Sequence, residues 1–259
     1  MVSLVGYYDA SGHPDDSVVL TVGGYISGDR KWTRFDREWA AILADIGLDE
    51  FHMTQFMRDP RWEGRRDEIL GRFLAVIRKN VRKSLATMID IRDWNAVNEV
   101  YALERSRCTP YALCGFLTLQ KALLFLTSRK EPSRMISLFE DGDKHKGDFI
   151  WVMDRIAKLD WRLKGIKPHF AGKDLTPLQA ADFVMWEQSK LSKTHIAAAG
   201  KPFEVRPTFS ELLNIPHEWG WMEKDDIIKF CVEFEVPKVG EAREWDPLCV
   251  LRGQPAGLE

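Results

Sequence analysis

Three groups of acidic residues stand at the edges of apolar segments that are far apart in the sequence. Asp9 closes the apolar run 4–8, Glu140 closes the run 135–139, and Asp182 lies inside an otherwise apolar stretch of helical period. Carboxylates at strand ends and on a buried helix can converge on a divalent cation, and such cations prefer oxygen ligands. Two ions held in this way can position an attacking water and neutralise the leaving oxygen in phosphodiester cleavage. The pattern therefore predicts a metal-dependent phosphoryl-transfer enzyme that uses Mg²⁺ or Mn²⁺, with a nuclease as the leading hypothesis.

Each of the two outer carboxylates also has a simpler interpretation. Asp9 could begin a turn and cap the backbone near Ser11 and Gly12. Asp182 could pair with an internal arginine or lysine, because a buried carboxylate without a partner is costly. Asp182 carries the greater weight, since its apolar surroundings leave it fewer structural explanations.

The middle acidic group leaves a choice among three residues. In a strand, Glu140 and Leu138 share one face while Asp141 faces the opposite way, so only one of the two adjacent acids can point at a shared ion. Glu140 is favoured, with Asp143 and then Asp141 as substitutes. A calcium-binding or purely turn-forming loop is the alternative.

Two further residues could assist the chemistry. His52 could orient a water or bind a phosphate, although a lone histidine between apolar neighbours is more often structural. Lys173, shortly before Asp182, could contact a phosphate, with a solvated surface lysine as the alternative. The sequence contains no phosphate-binding loop, dinucleotide-binding glycine motif, H-E-x-x-H zinc motif or nucleophile elbow, which removes several common enzyme classes.

Bulk charge does not indicate a strongly basic nucleic-acid binder. The 259 residues include 37 lysines and arginines against 39 aspartates and glutamates. Local basic patches at 79–83 and 144–146 still allow a nucleic-acid partner. No apolar stretch approaches the ~20 residues that span a bilayer, so we expect no membrane association. No secretory signal is recognisable, and the four cysteines lack metal-binding spacing, which predicts free thiols in the reducing cytoplasm.

The elements that must position these residues follow from periodicity and turn signals. A β-hairpin is predicted over 2–28, with a polar turn at 11–16. Further strands are predicted at 83–91, 134–140 and 165–171. Helices are predicted at 29–46, 64–80, 111–126, 149–159, 176–191 and 224–234. The sequence thus predicts an α/β domain over 1–191, and an irregular C-terminal appendage over 192–259 that packs on the same domain.

Four sequence elements together resemble the domain-of-unknown-function 3800 family, over about residues 4–190. They are the segments 8–12 (YDASG), 51–53 (FHM), 139–143 (FEDGD) and 178–182 (LQAAD). Members of that family typically read D-E-S-G at the first element and L-Q-x-A-D at the last. Here Ala10 stands where the family has glutamate.

The resemblance implies a ribonuclease H-like fold, with a mixed central sheet flanked by helices. It implies that Asp9, Glu140 (or a neighbour) and Asp182 bind the metal. It also suggests that the protein is linked to mobile elements or antiphage defence. One alternative is a non-catalytic module that retains the fold and binds nucleic acid or protein, in line with Ala10. A second alternative is a metal-dependent hydrolase of a small phosphorylated substrate, which would need a closed pocket.

Overall fold

The structure, a computed structural model, describes residues 2–12, 17–129, 133–158 and 165–245. Its strands are β1 (Val2–Ser11), β2 (Val19–Gly28), β3 (Lys83–Asp90), β4 (Ser133–Glu140), β5 (Pro168–Ala171) and β6 (His217–Met222). Its helices are α1 (Asp29–Ile46), α2 (Met53–Arg58), α3 (Arg66–Asn80), α4 (Ile91–Asn98), α5 (Pro110–Thr127), α6 (Lys146–Ile156), α7 (Thr176–Ala198), α8 (Pro207–Leu212) and α9 (Lys224–Glu233). A short 3-10 helix covers Pro60–Trp62.

The strands form one mixed six-stranded sheet in the order β5-β4-β1-β2-β3-β6. β1, β2 and β3 are antiparallel neighbours, whereas β4 runs parallel to β1, β5 parallel to β4, and β6 parallel to β3. Helices cover both faces, which confirms the predicted α/β class and the mixed sheet flanked by helices.

Alternation along the central strand β2 divides the interior into two cores. All ten of its residues are buried, as expected for a strand covered on both faces. Leu20, Val22 and Ile26 point to a core shared with α5, α6 and α9, whereas Tyr25 points to a core shared with α1, α3 and α7. This alternation decides which face of the sheet each strand-borne acid joins.

The predicted hairpin and the helix after it are confirmed. α1 buries Trp32, Phe35 and Trp39 at helical spacing, and it ends at Gly47, whose φ of 67° gives a left-handed C-cap. Of the predicted turn at 11–16, residues 13–16 lie outside the described residues.

Several boundaries differ from the sequence prediction. α7 continues to Ala198 instead of ending near Leu191, because its last two turns contain no glycine or proline that would stop a helix. The segment after 192, predicted to be irregular with one helix, also contains α8 and the sheet strand β6. α2 and α4 were not predicted, since six to eight residues are too few for a clear helical period. The proposed domain boundary at 191 stays a prediction.

α5 is the most apolar helix of the described chain. By length and composition alone it could cross a membrane, but 61% of that window is buried in the fold. It packs on β2, β3 and α6, so it is an interior helix, as expected for a helix that is apolar on all sides. The described cysteines, Cys108, Cys114 and Cys231, are buried free thiols as predicted, while Cys249 lies outside the described residues.

Candidate functional site

Asp9 and Glu140 lie side by side just beyond the last paired residues of two neighbouring parallel strands, β1 and β4. β1 and β4 pair in a register that places Tyr8 beside Phe139, so the next residue on each strand is an acid. Tyr8 and Phe139 belong to the core under α5 and α6. Because side chains alternate along a strand, Asp9 and Glu140 face the opposite side, where α7 packs.

Asp182 reaches the same place from α7. Its neighbours Ala180 and Ala181 are fully buried, and their small side chains suit a helix that packs closely on β1 and β2. One carboxylate oxygen, Oδ2, accepts a hydrogen bond of 2.7 Å from the backbone N–H of Met53 at the start of α2. The other oxygen, Oδ1, is directed to the ammonium of Lys173.

The Lys173 ammonium lies among all three carboxylates. Its Nζ is 3.1 Å from Glu140 Oε1, 3.6 Å from Asp182 Oδ1 and 4.0 Å from Asp9 Oδ2. The lysine side chain is only 13% exposed. The structure therefore brings the three acids to one point, and it places Lys173 there as their counter-ion rather than as a solvated surface lysine.

The charges at this point do not balance. Three carboxylates face one ammonium, and the pKa of Asp9 is raised well above its usual range by burial, by a hydrogen bond with Glu140, and by the charges of Asp182 and Glu140. Burial alone would lower the pKa of Lys173, but the charges of Asp9, Asp182 and Glu140 together raise it. The cluster has a formal excess of two negative charges when all groups are ionised.

The three carboxylates are the right type of ligand for a hard cation, but their oxygens are not positioned to coordinate one. All three groups offer carboxylate oxygens, which Mg²⁺ and Mn²⁺ prefer, and Mg²⁺ binds oxygen at about 2.0–2.1 Å. The Nζ–oxygen distances of 3.1–4.0 Å are longer than that. Within the described ranges, no set of three His, Cys, Asp or Glu side chains is arranged to hold a metal ion as it stands. A metal would need the carboxylates to move inward and Lys173 to move out.

The other two acids of the middle group are engaged locally. Asp141 Oδ1 accepts a hydrogen bond of 2.8 Å from Lys146 Nζ, and this bond lowers the pKa of Asp141. Asp143 Oδ1 accepts from the backbone N–H of His145 at 2.8 Å. Both acids line a cavity of about 300 Å³ together with Asp9 and Glu140, but neither reaches Lys173 within ion-pair distance. Of the three acids, Glu140 is the one that the structure brings to Asp9 and Asp182.

His52 lies at the edge of the cluster. Its Nδ1 is 3.6 Å from Asp182 Oδ2, and this nitrogen is buried without a hydrogen-bond partner. The side chain as a whole is 31% exposed. A buried, unpaired ring nitrogen beside a carboxylate is unusual, and the solvent-facing side of the ring remains accessible to a substrate or a water.

Gln179 is a structural member of the site that sequence reasoning did not single out. Its side-chain Oε1 accepts from Trp39 Nε1 at 2.8 Å and from the backbone N–H of Phe51 at 3.1 Å. Its Nε2 donates to the backbone carbonyl of Lys173 at 2.9 Å. Gln179 and Asp182, three residues apart on one helix face, therefore clamp the 51–53 segment and the Lys173 loop together. A glutamine in an otherwise apolar helix was the available signal.

Comparison with models of protein families, with curated proteins and with solved structures finds no match to this chain. The resemblance to the domain-of-unknown-function 3800 family therefore stays a prediction, and the site is interpreted from its own geometry.

Proposed function

We propose that this protein is a metal-dependent phosphodiester hydrolase that acts on nucleic acid. The observation that supports this proposal is the convergence of Asp9, Glu140 and Asp182, from three separate elements, on one cation. Three carboxylates that face one ammonium leave an excess of negative charge, which a bound divalent ion would reduce. Burying such a cluster lowers the stability of the protein, and a role in binding a catalytic cation would explain why the cluster is present.

The residues would divide the work as follows. Asp9, Glu140 and Asp182 would hold Mg²⁺ or Mn²⁺, which when bound would activate water and neutralise charge on a phosphoryl oxygen. Asp9 and Asp182 are fixed most firmly, since Asp9 accepts from the backbone N–H of Ala10 at 2.7 Å and Asp182 from that of Met53. Lys173, displaced from the carboxylates, would contact the substrate phosphate, and His52 would orient substrate or water.

The fold supports the same proposal. A mixed sheet with helices on both faces, and with acids at the ends of β1 and β4, is compatible with the ribonuclease H-like architecture that the resemblance implies. We propose that architecture on this basis. The buried free thiols at 108, 114 and 231 support a reducing, cytoplasmic location.

A non-catalytic module that retains the fold is the second candidate. Lys173 already contacts all three carboxylates, so the cluster has an internal counter-ion. Ala10, where the related motif carries a glutamate, points the same way. In that protein Lys173 would be a permanent structural ion-pair partner, and binding to a nucleic acid or protein would not need a metal.

Metal binding and cleavage separate the two candidates. Mn²⁺ binding is measured by electron paramagnetic resonance, and cleavage is measured on single-stranded RNA, DNA and a hybrid duplex. Asp182→Asn keeps the acceptor for the Met53 N–H but removes a charge, so we expect it to lose cleavage and to bind Mn²⁺ at least tenfold more weakly. Asp154→Asn, at an exposed ion pair with Lys167, is the matched control and should behave as wild type.

The metal-dependent proposal fails if wild-type protein cleaves none of these substrates and Asp182→Asn binds Mn²⁺ as wild type does. Cleavage of small phosphate esters without cleavage of any polynucleotide would instead identify a hydrolase of small substrates.

A further inference from the structure

A second cavity, of about 420 Å³, is lined by residues that lie close in sequence to those of the candidate site. Ser11, two residues after Asp9, and Thr54, two residues after His52, line it. Trp186 also lines it and lies one helical turn after Asp182 on α7. The cavity therefore begins about one helical turn along α7 from Asp182.

Among the residues that the structure describes, the charged side chains that line this cavity are all basic. Lys190 and Lys193 follow Trp186 on the same face of α7, and Arg58 enters from the end of α2. Within the described part of the chain, none of these three cations has a carboxylate oxygen within 4.0 Å, the limit for an ion pair. Burial and the charge of Lys190 lower the pKa of Lys193, as expected where like charges gather without acidic partners.

The Trp186 ring holds one of these cations in place. Lys190 Nζ lies 5.1 Å from the ring centroid, and the Arg206 guanidinium lies at the same distance of 5.1 Å. These are cation–π distances. Lys190 is therefore oriented along the helix face that leads to Asp182.

The basic patches that are obvious in the sequence do not offer the same opportunity. In the patch 79–83, Lys79 pairs with Glu38, and Lys83 pairs with Glu218 at 3.4 Å. In the patch 144–146, Lys146 pairs with Asp141. The chain as a whole carries a formal net charge of −2, so its bulk charge does not account for a cavity whose described charged lining is basic.

We propose that Arg58, Lys190 and Lys193 form a track that binds the phosphodiester backbone of a nucleic-acid strand and leads it to the carboxylates. The proposal rests on the function proposed above, and it names the substrate as a polymer whose successive phosphates extend along α7. Lysine and arginine contacts to phosphates supply most of the sequence-independent affinity for nucleic acid. Trp186 is a positioning residue that orients Lys190.

The test measures binding without metal, so it does not depend on catalysis. Fluorescence anisotropy with fluorescein-labelled single-stranded DNA, single-stranded RNA and duplex DNA is recorded in EDTA at several salt concentrations between about 50 and 200 mM. The variant is Lys190→Gln combined with Lys193→Gln. Lys79→Gln combined with Lys83→Gln is the control, because it removes the same net charge from lysines that are already paired.

We expect the Lys190/Lys193 variant to bind at least about tenfold more weakly, and the slope of log K against log salt to fall by about 0.7 for each lysine on a single strand. The control should retain the wild-type affinity and slope. Thermal unfolding of both variants verifies that they are folded. The single-stranded and duplex arms show which form of the backbone the track accepts.

The track is refuted if wild-type protein binds none of the three probes, or if the two double variants bind alike. Cleavage in Mn²⁺ is scored separately. If the Lys190/Lys193 variant binds more weakly and wild-type protein does not cleave, the proposed track is supported and the proposed nuclease activity is refuted. Cleavage by wild type, with unchanged binding and cleavage by the variant, removes the track and keeps the nuclease.

Discussion

Replacing Lys173 by methionine tests the central role given to its ammonium. The change keeps most of the aliphatic stem but leaves three carboxylates, two of them no more than 10% exposed, without their shared cation. With an effective dielectric constant of about 20, the contact between Lys173 Nζ and Glu140 Oε1 at 3.1 Å is worth roughly 5 kcal/mol before desolvation is counted. Removing one partner of a buried pair typically costs about 3–5 kcal/mol.

Partial solvent access of Glu140, whose side chain is 25% exposed, places the expected loss near the lower limit, at about 3 kcal/mol. For a chain of this length, that loss corresponds to a fall in Tm of about 6–12 °C. The assay is thermal and urea unfolding in EDTA, followed by circular dichroism. Lys167→Met, which breaks the exposed pair with Asp154, is the matched control and should cost less than about 1 kcal/mol.

Two further measurements tie the loss to charge. Adding Asp182→Asn to Lys173→Met should recover part of the stability, because it removes one of the repelling carboxylates while keeping the acceptor for the Met53 N–H. Adding Mn²⁺ should raise the Tm of Lys173→Met more than that of wild type, since no ammonium competes for the oxygens. The reasoning is refuted if Lys173→Met unfolds with the same free energy as wild type, or if Asp182→Asn makes the variant less stable still.

Three other perturbations test the scaffold. Gln179→Leu should lower the free energy of unfolding, measured in urea, by about 2–4 kcal/mol, because it leaves two buried N–H donors without an acceptor. The control Gln55→Leu, at an exposed position, should change it little. Equal effects of the two variants would contradict the structural role of Gln179. Gly24→Ala should destabilise by more than about 2 kcal/mol, since its Cβ would lie 1.9 Å from a β1 carbonyl oxygen, while Gly71→Ala in open space should not destabilise. A Cys249→Ser variant retains only the three buried thiols, and these should not react with a disulfide reagent near pH 8 while the protein is folded. This follows because burial raises the thiol pKa of Cys108 well above its usual range and those of Cys114 and Cys231 to about 12. Labelling of the folded protein would refute the burial of these thiols.

Local rules were sufficient to predict the positions of the acids. Period-two alternation showed that only one of Glu140 and Asp141 could face a shared ion, with Glu140 favoured, and the apolar period around Asp182 predicted a buried helical face. Strand β1 could be recognised because its apolar residues run directly into Asp9. The strand alternation and the helical period depend only on residues that are close in sequence, so they can be predicted from the sequence.

The partners of the acids could not be predicted in the same way. Lys173 reaches the carboxylates through a loop whose path depends on a hydrogen bond from Gln179. The N–H of Met53 belongs to a helix of six residues, too short to show a period. In strand β6, Gly220 lies between Trp219 and Trp221, so the sequence shows no clear alternation of apolar and polar residues. The strand is recognised only from its pairing with β3. Contacts between distant segments decide each of these features.

The order in which the chain is synthesised gives the scattered acids a biological consequence. Asp9 is made before Lys173 and Asp182, which follow it in the chain by 164 and 173 residues. A nascent chain, or a fragment, that ends before Lys173 contains neither the third carboxylate nor the lysine. Under the proposed function, such a chain cannot assemble a cation site and cannot damage nucleic acid. Hydrolysis is thereby withheld until α7 has been made and has packed on β1 and β2.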